Sequence, residues 1–316
     1  MVTKDKIFVV TGGAGSFGSI LVKRLNELGA REVRVFSRNC RSDWEGDIRD
    51  TSALKRVMSG ADYVIHAAAL KDVHYCEANP REAVEVNVTG SVNVLNAAKE
   101  TGIERIVFIS SDKACFPMGT MGITKALMEK MVLAECRKTD SPKCSVVRFG
   151  NLMGSAGTVI PLFVRLAREG ADLTVTNPEM TRFMMTIADA VDLTLLALEY
   201  GDNGEIMVEQ ANSATIETLA QGALLFAGIT SEEERKSRIK VTGARPGEKL
   251  YETMATAEEI SKSTELSQNG KVFLKISQYG EVINTKAVEY NSHNAPSFST
   301  EEMADIIKRL TIPQIN

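Results

Sequence analysis

The sequence predicts an α/β protein, a doubly wound parallel sheet with helices on both faces followed by a smaller C-terminal region. Three observations carry that prediction. Short β-branched runs alternate with segments of helical period through the first 150 residues, the βαβ rhythm of a parallel sheet. The runs IFVV and IVFI are apolar at consecutive positions, as burial on both faces requires, whereas the intervening segments are amphipathic. A glycine-rich turn joins the first strand to the first helix. In order, the pattern predicts a strand KIFVVT, a helix over 16–28, a strand EVRVF, a helix over 51–59 and a strand DYVIHAA. A long helix over 80–100, a strand RIVFIS, a helix over 118–138 and a strand CSVVRF complete a first domain, residues 1–150. After Phe149, Gly, Pro and Asn become frequent. Residues 151–316 read as a second region interleaved with the first sheet, because helix candidates over 187–200 and 215–227 can return to it. A last helix over 300–310 starts at Ser299 and Thr300, with Glu301 and Glu302 in its first turn where the helix dipole favours acids.

Composition narrows the partners. With 41 acidic and 37 basic residues the net charge is −4, so no long-range field draws nucleic acid or an anionic membrane, and any phosphate must be held by local groups. The five cysteines (Cys40, Cys76, Cys115, Cys136, Cys144) form no CxxC and no Cys/His ligand spacing, which predicts a reduced chain without a metal site. The N-terminus lacks the apolar core of a signal peptide, and no apolar run approaches the ~20 residues that span a bilayer. The expectation is a cytoplasmic protein with neither a nucleic acid nor a membrane partner.

The strongest local motif is Thr11-Gly12-Gly13-Ala14-Gly15-Ser16-Phe17-Gly18, which follows the first strand and opens the first helix. Gly12 permits a tight turn, Gly15 lets backbone approach a pyrophosphate, and Gly18 lets the helix pack close while its N-terminus faces the anion. The strand VRVF then runs into Ser37-Arg38 rather than an acid. A hydroxyl and a guanidinium suit a ribose 2'-phosphate, so NADP is expected over NAD. The spacing TGxxGxxG resembles the extended short-chain dehydrogenase/reductase family, whose first domain is a Rossmann-type dinucleotide-binding fold. That resemblance implies an adenine contact for Asp47 and Ile48 in GDIRD, a segment Ala67-Ala68-Ala69 passing under the cofactor, and a structural role for Asn87. Relatives usually place a further strand before GDxRD, and here only about a dozen residues separate Val35 from Asp47, which implies an abbreviated adenine pocket.

Past the strand RIVFIS come Ser110-Ser111-Asp112-Lys113, and then Met121 and Lys125, four residues apart on one helix face. Residues just beyond a strand's C-terminal end face the ligand crevice of an open α/β sheet. In the resembled family the helix pair is Tyr and Lys. Met121 stands in the Tyr position here, and a thioether neither gives nor takes a proton at physiological pH. Asp112 and Lys113 add two titratable groups in compensation.

The blocks SSDKACFPMGTMGITKALMEK, RFGNLMGSAGTVIPLF, NPEMTRFMM, ARPGEKLYE and YNSHN, taken in order, resemble the UDP-N-acetylglucosamine 4,6-dehydratases of surface-glycan synthesis, in the subgroup with Met for the triad Tyr. The resemblance covers about Lys6 to about Leu310. It implies oxidation at sugar C4, loss of water across C5 and C6, and return of hydride to C6, giving a UDP-4-keto-6-deoxy-HexNAc. By analogy Lys113 is the C5 base, made neutral by Lys125 and desolvation, and Asp112 is the acid for the C6 hydroxyl. Ser111 stands for the triad hydroxyl, and Lys125 holds the nicotinamide ribose. Lys71, Asn151, Val159, Arg182, Arg245 and Glu248 are the implied UDP-sugar contacts, with the two arginines as countercharge for the pyrophosphate. Relatives also imply a homo-oligomer. Two other readings stay open: a nucleotide-sugar 4-epimerase, and an NADP-binding sensor or scaffold without turnover.

Overall fold

The computed structural model describes residues 2–40, 43–138, 142–155, 158–244 and 248–310. The chain runs β1 (Ile7–Thr11), α1 (Ser16–Glu27), β2 (Glu32–Phe36), α2 (Thr51–Met58), β3 (Tyr63–His66), α3 (Val73–Ala78), α4 (Pro80–Val84), a π-helical turn (Glu85–Gly90) and α5 (Ser91–Thr101). It continues with β4 (Arg105–Ile109), a 3₁₀ turn (Asp112–Ala114), α6 (Thr120–Glu135), β5 (Lys143–Arg148), β6 (Asn151–Met153), α7 (Val159–Arg168), β7 (Leu173–Val175) and β8 (Thr181–Thr186). Then come α8 (Ile187–Tyr200), β9 (Glu205–Glu209), β10 (Ser213–Thr215), α9 (Ile216–Phe226), α10 (Glu232–Ser237) and β11 (Ile239–Val241). The last elements are β12 (Thr253–Ala255), α11 (Ala257–Ser261), β13 (Ser263–Gln268), β14 (Lys271–Ser277), β15 (Tyr290–Asn291) and α12 (Thr300–Arg309).

Two compact units share the chain. One comprises Met1–Phe149, Ala188–Gln210 and Met254–Glu289, and the other Gly150–Ile187, Ala211–Thr253 and Tyr290–Asn316. The first is built on an eight-stranded sheet of order β13-β14-β9-β5-β4-β3-β1-β2. The pairs from β9 to β2 are parallel, and β14 and β13 extend the edge in antiparallel register. This is a Rossmann-type α/β sheet, as the strand patterns predict. Phe8, Val9, Val64, Ile65, Ile106, Phe108, Val146 and Ile206 are wholly buried, which accounts for their unbroken apolar runs. The strand order reverses at β1, which lies between β2 and β3, and an α/β sheet opens its ligand crevice at such a switch point.

The second unit has a three-stranded sheet β10-β8-β6 and a two-stranded pair β11-β7. Its core gathers Ile160, Phe163 and Val164 of α7, Leu219, Ala220, Ala223 and Leu224 of α9, and Met303 and Ile307 of α12. A capping box formed by Ser299 and Glu302 starts α12 where the sequence places it.

The long helix expected over 80–100 is not continuous. A π-helical turn interrupts it, and Asn87 within that turn binds the main chain of Leu70 through both amide atoms (2.8 and 2.9 Å) and Thr124 Oγ1 at 3.0 Å. The extra residue in the turn aims Asn87 out of the helix, a use of π-turns that recurs at functional sites. The strand DYVIHAA stops at His66, where Ala67 to Ala69 leave the sheet as loop. Between β2 and α2 no strand occurs among the described residues, in accord with the short spacing there.

Candidate active site

The cradle grows from the end of β1. Gly12 has φ +72°, and a Cβ there would stand 2.7 Å from the Ala68 nitrogen. A Cβ on Gly18 would stand 2.3 Å from the Gly12 oxygen and 2.6 Å from the Gly13 Cα, so α1 approaches the turn only because this residue is glycine. Gly15 caps α1 without a side-chain hydrogen bond, which leaves the first-turn N–H groups facing the cavity for an anion. A cavity of ≈480 Å³ opens here within the first unit. It is lined by Gly12, Gly15, Ser16, Phe17 and Gly18, by Ser37, Arg38, Asp47 and Ile48, and by Ala67, Ala68, Ala69 and Lys71. These residues and this volume fit a dinucleotide. Lys71, expected among the substrate contacts, therefore faces the dinucleotide cavity. Asp47 carries the Arg49 guanidinium (3.0 and 2.7 Å) and main-chain N–H (2.9 Å), and the Arg49 hydrogen bond holds its carboxyl below the usual range.

Thr11 and Asn87, also expected at the cofactor, are not among the residues that line the cavity and belong to one buried hydrogen-bonded chain. The Ala68 N–H and the His66 ring both meet Thr11 Oγ1, at 3.3 and 2.7 Å, and the other His66 nitrogen meets Ser91 Oγ at 2.9 Å. Ser91 Oγ donates to the Asn87 carbonyl at 2.8 Å, so His66 Nε2 is the donor and Nδ1 accepts from Thr11. Burial, with Lys125 adding repulsion, pushes His66 down to about 3, so the ring is neutral throughout the physiological range. Through Asn87 and Thr124 the chain reaches the Met121 carbonyl on α6.

The 3₁₀ turn that follows β4 carries the titratable pair. Ser111 Oγ accepts from the Lys113 N–H at 3.2 Å and donates to Asp112 Oδ1 at 2.9 Å. Lys113 Nζ donates to the same oxygen at 3.0 Å. Asp112 is wholly buried, and its Oδ2 has no hydrogen-bond partner among the described residues. Such an atom costs roughly 1–3 kcal/mol unless a ligand or a proton satisfies it. The turn presses on α6 at Gly122, where a Cβ would stand 2.3 Å from the Lys113 oxygen.

On α6, Met121 packs with Cys76 and Ala83 in a small apolar cluster and brings no proton carrier. Lys125 is buried and donates to the Ile109 carbonyl at 2.7 Å, and burial pushes its ammonium down to about 8. Lys113 has a carboxylate partner, and the desolvated lysine is Lys125.

Glu129, Arg148 and Glu259 had no place in the sequence reading. Glu129 receives Ser110 Oγ at 2.5 Å and the Arg148 guanidinium at 2.9 and 2.7 Å. The far side of the same guanidinium binds Glu259 at 2.9 and 2.8 Å. The i, i+4 spacing of Lys125 and Glu129 was a readable signal for one member. Arg148 and Glu259 are 111 positions apart, and no local pattern links them.

In the second unit Asn151 lies on β6, paired in register with Met184 of β8, and Val159 opens α7 half-buried against the core. Arg182 on β8 donates to the Thr181 carbonyl at 2.8 Å and stands 4.0 Å from Glu252, which Lys249 approaches at 3.3 Å. Glu248 is half-buried beside Lys249, and Arg245 lies outside the described residues. Among the described residues no helix is long and apolar enough to cross a membrane.

Residues 8–273 match the family model described as polysaccharide biosynthesis protein. A UDP-glucose 4-epimerase of Rickettsia bellii (strain RML369-C) is 37% identical over 98% of this chain and 97% of its own length. The structure of Pen from Bacillus thuringiensis is 31% identical, with a TM-score of 0.86 over 99% of this chain and 100% of that one. A dTDP-glucose 4,6-dehydratase from Streptomyces venezuelae, solved with NAD bound, is 25% identical, with a TM-score of 0.69 over 77% of this chain and 86% of that one.

Proposed function

The chain belongs to the polysaccharide biosynthesis protein family, extended short-chain dehydrogenase/reductase enzymes that modify nucleotide sugars, and on that premise we propose that it is a UDP-N-acetylglucosamine 4,6-dehydratase. The observation that carries this reading is the Ser111-Asp112-Lys113 turn: an amine and a carboxylate 3.0 Å apart, with Met121 at the usual tyrosine position. A bound nicotinamide dinucleotide supplies the temporary removal of a hydride from sugar C4 and its return to C6, with no net redox.

The remaining steps belong to the chain. Elimination of water needs a base at C5 and an acid at the C6 oxygen at the same moment. An amine beside a carboxylic acid is that combination. Lys113 takes the C5 proton and becomes an ammonium, while Asp112 gives its proton to the departing hydroxyl and becomes a carboxylate. Transfer of one proton back across the 3.0 Å hydrogen bond restores the starting pair. Burial of Asp112 keeps solvent from its carboxyl. Lys125 holds the nicotinamide ribose and favours charge developing at the C4 oxygen.

Ser37 and Arg38 on the cavity wall support NADP as the dinucleotide. A charge-assisted hydrogen bond is worth about 1.5–3 kcal/mol, so Arg38→Ala is expected to weaken NADP binding about 10- to 100-fold while NAD binding changes little. Calorimetric titration with both dinucleotides checks this, and equal losses for the two would remove Arg38 from 2'-phosphate recognition. Asn151, Val159, Arg182, Arg245 and Glu248 are the proposed UDP-sugar contacts of the second unit, and the working form is proposed as a cytoplasmic homo-oligomer.

A 4-epimerase is the second reading, favoured by the names of the Rickettsia relatives. Mass spectrometry of UDP-N-acetylglucosamine after incubation with the protein separates the two. The dehydratase removes one water, and an epimerase leaves the mass unchanged.

A further inference from the structure

We propose that Glu129, Arg148 and Glu259 are positioning residues whose surplus negative charge balances the buried Lys125 ammonium and whose hydrogen bonds hold the Ser110–Lys113 segment against α6. The inference deepens the proposed function, since it assigns residues that act on its active-site lysine.

Two carboxylates against one guanidinium leave one net negative charge in a buried cluster, and the Lys125 ammonium one turn along α6 from Glu129 balances it. An unbalanced ammonium in such surroundings releases its proton well below its ordinary range, because burial disfavours the charged form. Of the groups acting on Lys125, Glu129 is the chief one favouring charge, and Cys76 of α3, whose thiol is pushed up by burial, is uncharged at neutral pH. The other neighbours contribute little surplus. His66 of β3 is neutral, Asn87 and Ser91 of the π turn and α5 carry no charge, and Asp112 and Lys113 of the 3₁₀ turn compensate each other. Arg148 remains charged despite burial because Glu129 and Glu259 flank it. Burial works against the Glu259 charge, but Arg148 holds its carboxyl below the usual range.

Geometry makes Glu129 the hub. One oxygen of its carboxylate accepts from Ser110, the residue before the reacting turn, and also from Arg148 of β5. Glu259 arrives from α11, where it closes a capping box with Thr256, so the third segment of the first unit completes the cluster. Cys115, just after the turn, accepts from Arg148 at 2.9 Å and places its one thiol proton within reach of the Met254 carbonyl (3.3 Å) and Glu259 (3.6 Å). The cluster thus grips the segment carrying Asp112 and Lys113 at both ends.

The test reads Lys125 directly. In the full-length protein labelled with ¹³C at the lysine ε-carbons, and assigned by loss of one signal in Lys125→Arg, the Lys125 resonance is expected to titrate near 8. Glu129→Gln preserves shape and most hydrogen bonds, and it should lower the proton affinity of Lys125 tenfold or more, a shift of one pH unit or greater. Glu259→Gln should shift it in the same direction, and Arg148→Gln in the opposite one. A purely structural role predicts no such sign pattern. An unchanged or raised Lys125 midpoint in folded Glu129→Gln or Glu259→Gln overturns the proposal. Because the titration needs no turnover, failure of the dehydratase reading in the product assay leaves this result independent.

Discussion

Lys113→Met is expected to lower dehydration by about 10²- to 10⁴-fold, the range for removal of a general base, while the affinity for dinucleotide stays within about threefold. Methionine keeps the length of the stem but removes the proton acceptor from C5, and Asp112 loses its partner at 3.0 Å. Oxidation at C4 precedes the step that fails, so a single turnover should leave reduced dinucleotide on the protein, visible in the near-ultraviolet spectrum. Asp112→Asn should stall at the same stage, because the amide cannot protonate the leaving hydroxyl. A Lys113→Met protein within tenfold of the wild-type rate would take Lys113 out of the chemistry and leave the turn a structural cap.

Gly18→Ala carries the second large effect. Its Cβ would meet the Gly12 oxygen at 2.3 Å and the Gly13 Cα at 2.6 Å, all backbone that no rotamer change relieves. Either α1 withdraws or the turn opens, and both move the helix N-terminus away from the pyrophosphate. Overpacking of this kind costs about 1–3 kcal/mol, so dinucleotide affinity should fall about 5- to 150-fold. Gly60→Ala is the control. Gly60, unlike the helical Gly18, has a positive φ (+70°), and it has no neighbour within 4 Å, so that variant should lose stability and keep its affinity. Equal affinities in the two variants would contradict the cradle assignment.

The alternation of β1, α1, β2, α2 and β3 was readable because β1 and β3 are buried at every position and the helices on one face only, while the partly buried edge strand β2 still carries the β-branched run VRV. The cradle was readable for a similar reason, since its glycines stand where the backbone needs positive φ or close approach. The sheet's antiparallel edge escaped the reading. Yet Asn269-Gly270 is a hairpin signal in plain view, with φ of 52° and 76° and Gln268 paired to Lys271 across it. The π turn at Glu85–Gly90 is different, because helical periodicity runs on through it, and only the reach of Asn87 to Leu70 and Thr124 explains the break.

Within the site, sequence position placed Asp112 and Lys113 past a strand end, but not their pairing. That pairing depends on a three-residue turn capped by Ser111, a scale below any periodic pattern. The cluster of Glu129, Arg148 and Glu259 draws on α6, β5 and α11, segments that come together only through the fold. His66 shows the same limit. A lone histidine at a strand end gives no sign that its ring joins Thr11 to Ser91.

The central claim is that this site removes water from a UDP-amino sugar through a proton lost at C5. Proton NMR of UDP-N-acetylglucosamine incubated in deuterated water with the purified protein and NADP tests it most directly. The account predicts a 4-keto-6-deoxy product, one water lighter before isotope exchange, with deuterium at C5 whose orientation reports retention or inversion. A product of unchanged composition, epimerised at C4 with no deuterium at C5, would contradict it and assign the chain to the epimerases.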